Sequence, residues 1–234
     1  MLLPRRMTRL IALVLTALAL LLSCDSGGES RLIGEGDPTV LVIGDSIMEW
    51  NRSDDASVAD VIAALTMRAV QNNAVSGSLL SGGGEDIRDQ YEPGPWEWVV
   101  MDGGANDLGE TCGCGPCEAV LNDLASPDGT RGTYPDFVRR LVSDGAGVLV
   151  MGYYMAPTSA ETEFTACADD LEELNRRLQA MASATDRVTF APAATVIDPD
   201  NREHYDEDLV HPSIEGSRLI GELFANIITA NTGD

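Results

Sequence analysis

Three side chains on two separate stretches of this sequence have the types needed for acyl transfer: a serine hydroxyl on one, an imidazole and a carboxylate on the other. Ser46 lies in Gly44-Asp45-Ser46-Ile47-Met48, directly after the short apolar run TVLVI at 39–43. Such a run reads as a strand buried on both faces, so Ser46 falls at a strand's carboxyl end, where open α/β sheets place reactive groups. The tripeptide by itself would equally suit a strand-to-helix turn with a serine cap. A serine hydroxyl becomes an effective nucleophile only when a base removes its proton. Of the two histidines, His211 stands in Asp208-Leu209-Val210-His211-Pro212, where a carboxylate three residues earlier can hold the second ring nitrogen. His204, within Glu203-His204-Tyr205, is flanked by charge and reads as surface. Asp206 is the rival to Asp208 as the partner of His211.

Acyl transfer also needs donors aimed at the oxygen on which charge develops. Asn73-Ala74-Val75-Ser76-Gly77 follows a second predicted strand and supplies a glycine whose amide can approach a ligand closely. Gly103-Gly104-Ala105-Asn106-Asp107 follows a third and supplies the carboxamide of Asn106. Glycine-rich turns are common after strands, and Asn often serves only its own loop, so each stretch is informative only in company with the others. Asp45 is too close to Ser46 to hold His211 and reads, like Asp107, as a support for its own turn.

These residues need a frame that brings them together. Apolar runs at 98–101 and 147–153 repeat the pattern of 39–43. Between them lie residues at helical spacing: Val58, Val61, Ile62 and Leu65, then Phe137, Val138, Leu141 and Val142. A further helix carries Leu171, Leu174, Leu178 and Met181 on one stripe, with acids at its start and Arg176 and Arg177 further along, as its dipole favours. The last opens at Ser213, a good N-cap, and shows Leu219, Ile220, Leu223, Phe224, Ile227 and Ile228 on a core-facing side. The alternation predicts a parallel sheet flanked by helices.

In this order, the GDSI, NAVSG, GAND and D-x-x-H blocks resemble those of the SGNH (GDSL-type) hydrolase superfamily, named for Ser, Gly, Asn and His, over residues 40–228. The resemblance implies a flavodoxin-like, three-layer α/β/α sandwich with a parallel sheet of about five strands, in a domain at 38–234. It also implies roles: Ser46 as nucleophile, His211 as general base and Asp208 as the residue that orients it. The backbone amides of Ser46 and Gly77 with the side chain of Asn106 would form the oxyanion hole. The reaction implied is hydrolysis of a short-chain ester, O-acetyl foremost, on an extracellular carbohydrate or small molecule, through an acyl-serine and without cofactor or metal. A sugar hydroxyl in place of water would make the same site an acyltransferase, and a chain that kept only the fold would be a carbohydrate-binding module. Trp50, Tyr153, Tyr154 and Met155 follow predicted strand ends and would either line an acyl or sugar pocket or simply pack.

Composition sets limits around this reading. A chain of 234 residues, 44% hydrophobic, suits one compact domain. Its 15 basic residues, every one Arg, face 38 acidic ones for a net charge of -23. The lack of lysine excludes Schiff-base chemistry, and the negative field disfavours nucleic acid and anionic membrane surfaces as partners. Halophilic adaptation and simple solubility would each explain the acidity.

The first residues read as an address. Arg5, Arg6 and Arg9 precede an uncharged apolar run at 10–22, shorter than the ~20 residues that span a bilayer and typical of an export signal. It ends in Leu21-Leu22-Ser23-Cys24, which resembles the bacterial lipobox, where cleavage ahead of the cysteine leaves a thiol that is acylated. Residues 1–23 thus read as a lipoprotein signal peptide, Cys24 as a lipid anchor, and 24–37, rich in Gly, Ser and acids, as a flexible tether. An ordinary signal peptide cut nearby is the alternative. The expected location is the outer face of the bacterial cytoplasmic membrane or the periplasm, with the membrane reached only through the anchor. The other cysteines, Cys112, Cys114, Cys117 and Cys167, form an even set in an exported chain, which favours disulfides. A Cys112–Cys114 ring would be strained, so one bond is expected in or near the 112–117 loop and one reaching Cys167. Zinc held by four thiolates and a thioredoxin-like Cys114-Gly115-Pro116-Cys117 are the alternatives.

Overall fold

The computed structural model describes residues 30–162 and 164–231; the segment read as a signal peptide, Cys24 and the chain up to residue 29 lie outside the described residues. The strands are Arg31–Ile33 (β1), Val40–Ile43 (β2), Val70–Asn72 (β3), Trp98–Met101 (β4), Gly147–Gly152 (β5) and Val188–Pro192 (β6). They form one sheet in the order β1-β3-β2-β4-β5-β6. β2, β4 and β5 are buried at every position, and strands of that kind require cover on both faces of the sheet.

The cover comes from Ser46–Glu49 (α1), Val58–Thr66 (α2), Glu118–Leu124 (α3), Thr133–Ser143 (α4), Ala168–Ala184 (α5) and Ile214–Asn231 (α6). The connection from β2 through α2 to β3 runs one way along the sheet, while those from β4 through α4 to β5 and from β5 through α5 to β6 run the other. Right-handed crossovers therefore put α2 on one face and α3, α4 and α5 on the opposite one, and α6 returns to pack against α2. Each of the four helices read from apolar spacing is present. α2 begins with a capping box, in which Ser57 and Asp60 satisfy each other's amides. At the start of α6 the Ser213 hydroxyl accepts from the Gly216 amide (3.1 Å).

The five parallel strands agree with the expected α/β sandwich, and two parts of the sheet carry no signal in the sequence pattern. β1 corrects the tether: residues 31–33 pair antiparallel to β3, so the sheet begins inside the segment read as flexible. Backbone pairing at a sheet edge needs little apolar surface. Arg31 adds to it by donating to Asp60 (3.0 Å) and to the Arg52 carbonyl (2.8 Å). β6 is the opposite edge, mostly half-buried, and so lacks the unbroken apolar run that marks the central strands.

Arg177, read with Arg176 only as a charge favoured by the dipole of α5, also turns into the core. It is 1% exposed and donates to Glu173 (2.7 Å), Asn122 (2.8 Å) and the Ala125 carbonyl (2.9 Å), so it braces α5 against α3. A buried charge is tolerable only when bonded in this way.

Strand order reverses between β2 and β4, the crevice where doubly wound sheets bind ligands. Ser46 follows β2 and Asn106 follows β4, so the two predicted blocks meet at that point.

Candidate active site

The turn that presents Ser46 is dictated by close packing. Gly44 has φ +143°, and a Cβ there would stand 1.8 Å from Asp102 Oδ1, so no side chain fits. The next residue, Asp45, caps α1 by accepting from the Ile47 amide (3.0 Å), and its own amide donates to Asp102 Oδ1 (2.7 Å). Tyr153, just past the end of β5, donates its hydroxyl to the other Asp45 oxygen (2.6 Å). Gln90 clasps the same turn from outside, accepting from the Gly44 amide (2.7 Å) and donating to its carbonyl (2.9 Å). Ser46 is thus the first residue of α1 on a turn held from three directions.

His211 arrives on the loop between Tyr205 and Pro212, which is closed by a bridge between those two residues and by the Asp206 amide donating to the His211 carbonyl (2.9 Å). Its Nε2 lies 2.8 Å from Ser46 Oγ, and its Nδ1 lies 2.6 Å from Asp208 Oδ2. Asp208 Oδ1 accepts from the amides of Val210 (2.9 Å) and His211 (3.0 Å). This carboxylate therefore shapes its loop and fixes the ring together. Its partial burial alone would raise its pKa, but the bonds from the His211 ring and the two amides outweigh that and hold it below the usual carboxylate range.

Asp206 has a different task. Its Oδ2 accepts from Trp50 Nε1 (2.6 Å), and Trp50 stacks on His211 with centroids 3.7 Å apart and rings 6° from parallel. The imidazole is therefore fixed at both nitrogens and covered on one face, an arrangement that also suits a ring acquiring positive charge. Trp50 does not line the cavity at Ser46; it packs, and what it packs against is the His211 imidazole. His204 is half-buried, with Nδ1 accepting from the Asp198 amide (2.9 Å) and Nε2 2.9 Å from the Asn201 carboxamide.

Asn106 sits just ahead of a π-helical turn, Asp107–Thr111, and donates to the Ser78 carbonyl (3.0 Å). Asp107 supports this geometry, accepting from the amides of Leu80 (2.9 Å) and Ser81 (2.7 Å). Gly77 occupies the third position of a turn closed by the Ser78 amide on the Val75 carbonyl (3.2 Å), at φ +78°, a conformation that favours glycine. It is exposed and is not among the residues that line the cavity at Ser46. That cavity measures ≈ 40 Å³ and is lined by Ser46, His211 and Asn106 together with Ile47, Ala105, Tyr153, Tyr154, Ala156, Phe164, Leu171 and Val210. Of the pocket aromatics suggested by the sequence, Tyr153 and Tyr154 line it. Met155 instead accepts the Tyr205 hydroxyl on its carbonyl (2.8 Å).

The four described cysteines form two disulfides, Cys112–Cys117 and Cys114–Cys167, one inside the loop and one reaching the start of α5. No free thiolate is left among them for zinc, and Cys114 and Cys117 have different partners, unlike a thioredoxin-like pair.

Sequence reasoning missed the support behind Ser46. Asp102 is 0% exposed and Asp45 2%. Burial, and then the charge of Asp45, push the Asp102 carboxyl well above its ordinary value; burial also raises Asp45, opposed by the bonds from Tyr153 and Ile47. The available signal was an acid directly after the apolar run WVVM. Gln90 left no signal in pattern or spacing.

Comparison with known proteins gives the family and the fold. Comparison with curated proteins returns no match. Solved structures give the fold. A catalytic mutant of an acetylxylan esterase from Geobacillus stearothermophilus is 18% identical with a TM-score of 0.60, over 83% of this chain and 95% of that one. A carbohydrate esterase family 2 enzyme from Corynascus thermopiles is 15% identical with a TM-score of 0.59, over 85% of this chain and 68% of that one. An inhibitor-bound aryl esterase from M. smegmatis is 13% identical with a TM-score of 0.60, over 83% of this chain and 99% of that one. The sequence model of the GDSL-like lipase/acylhydrolase family matches residues 42–219. The chain belongs to that family and is a serine hydrolase acting on carboxylic ester bonds.

Proposed function

We propose that the chain is an exported esterase that removes short acyl groups, acetyl foremost, from a carbohydrate or small-molecule ester. The observation that carries the chain length is the cavity beside Ser46. It is small, ≈ 40 Å³, and lined largely by apolar side chains, which favours a short acyl group over a long one. The substrates named for the acetylxylan and carbohydrate esterases of like fold favour the carbohydrate class.

In the proposed reaction His211 Nε2 takes the proton of Ser46 Oγ as that oxygen bonds to the ester carbonyl carbon. The carbonyl oxygen, now negative, accepts from the Ser46 and Gly77 amides and the Asn106 carboxamide. The C–O bond to the alcohol breaks as His211 returns the proton to the departing oxygen. Water then repeats the sequence on the acyl-serine, giving the free acid and Ser46–OH. Asp208 keeps the histidine in the tautomer that accepts at Nε2, and stabilises it once charged. Export by the residue 1–23 signal, with Cys24 as the lipid anchor, is part of the proposal, and two disulfides suit an oxidising compartment.

Hydrolysis of p-nitrophenyl esters of increasing chain length tests the reading. We expect turnover to be highest on acetate, to fall with length and to vanish in Ser46→Ala. Equal rates from both proteins would remove Ser46 as nucleophile. Acetyl transferred from an activated donor to an added sugar, in place of free acetate, would make the chain a transferase.

A further inference from the structure

The walls of the cavity are held in two different ways. Tyr153 and Tyr154 are fixed by their hydroxyls, one on Asp45 (2.6 Å) and the other on the Val210 carbonyl (2.9 Å). The wall formed by Phe164 and Leu171 comes from the segment between β5 and α5 and the first turn of α5, and these are apolar side chains that no hydrogen bond can hold. Instead, the Phe164 ring faces Gly109, where a Cβ added to the glycine would make ordinary van der Waals contact with it, 3.6 Å from Phe164 Cε1. The Phe164 carbonyl accepts from the Cys167 amide (3.0 Å), which starts the turn leading into α5. Cys167 is 0% exposed and bonded to Cys114, just past the π-helical turn that follows Asn106. A covalent bridge thus runs from the Phe164 wall to the element carrying Asn106.

We propose that Phe164 is the specificity-determining residue that closes the acyl end of the cavity, and that the Cys114–Cys167 disulfide holds it closed. The inference rests on the esterase reading of Ser46 and adds to it the residue that excludes unbranched acyl chains longer than a few carbons. The cross-link restrains the backbone that carries the ring, so the 164–167 segment cannot draw back to make room for extra methylenes, as it could if contact with Gly109 alone held it. A pocket that accepts or rejects a methylene discriminates by roughly 10-fold or more.

The test compares kcat/KM on p-nitrophenyl acetate, butyrate and hexanoate for the wild type, Phe164→Ala, Phe164→Val and the pair Cys114→Ala/Cys167→Ala. Labelling by a small fluorophosphonate reports a folded site in each. We expect the hexanoate-to-acetate ratio to rise at least ~10-fold in Phe164→Ala, less in Phe164→Val, and in the same direction in the disulfide variant. An unchanged ratio in either labelled Phe164 variant would overturn the role of Phe164. An unchanged ratio in the labelled disulfide variant would overturn the role of the bridge. A ratio that stays fixed while preference among acetate esters of different alcohols shifts would assign the cavity to the leaving group and overturn the proposal. A wild type that neither labels nor hydrolyses any ester would overturn the esterase reading itself.

Discussion

Ser46 stands between two sets of carboxylates whose surroundings are opposite. In front, Asp208 is bonded to His211 on a loop at the rim, with its side chain 40% exposed and its carboxyl held below the usual range. Behind, Asp45 and Asp102 are sealed under the nucleophile's turn, and burial drives both upward. The same residue type thus serves as a fixed negative charge on one side and as a neutral or proton-sharing support on the other. Hydrogen bonds from a charged or chargeable partner decide the first case, and loss of water decides the second. Function should therefore break at the front and stability at the back.

The largest expected effect is at the imidazole. His211→Ala should lower kcat on p-nitrophenyl acetate by about 10⁴-fold, with the thermal midpoint nearly unchanged, because its loop is held by Asp208 and by backbone bonds. A loss of both activity and midpoint would mean the histidine is structural. Next is the distinction within the front set: Asp208→Asn should cost about 10²- to 10⁴-fold in kcat through the wrong tautomer, and Asp206→Asn less than about tenfold, since it disturbs only the brace on Trp50. The reverse ranking would exchange their roles.

The smallest effect belongs to the back and is read as stability against pH. The folded protein keeps a proton on Asp102 that the unfolded chain loses near ~3.9. That contribution is whole below this pH and is lost as pH rises through the higher folded value. Asp102→Asn stays neutral and can still accept from the Asp45 amide. Its stability relative to wild type should therefore climb between pH 4 and 8, by about 1.4 kcal/mol for each unit of the shift, read as a rising difference between the two thermal midpoints. A midpoint difference that stays flat across that range would mean Asp102 is ionised in the fold.

What could be read from the sequence followed from how each residue is held. Ser46, Asn106 and His211 stand at the ends of buried strands or just before a core-facing helix, and those elements announce themselves by unbroken apolar runs and four-residue spacing. Sequence alone does not rank Asp208 over Asp206, because both lie within one loop; the fold separates them by giving Asp208 the His211 ring and Asp206 the Trp50 indole. The edge strands β1 and β6 were silent, since backbone pairing carries no side-chain signature. Asp102, Gln90 and Trp50 act across distant stretches of chain, through contacts that spacing along one segment cannot encode.

The antiparallel edge strand has a consequence for geography. If Cys24 carries an acyl chain, the leash to Arg31 spans at most roughly 25 Å when drawn out straight. Such a protein would graze a thin shell of solution above the lipid, meeting esters borne by wall or envelope polymers more often than those dissolved far away.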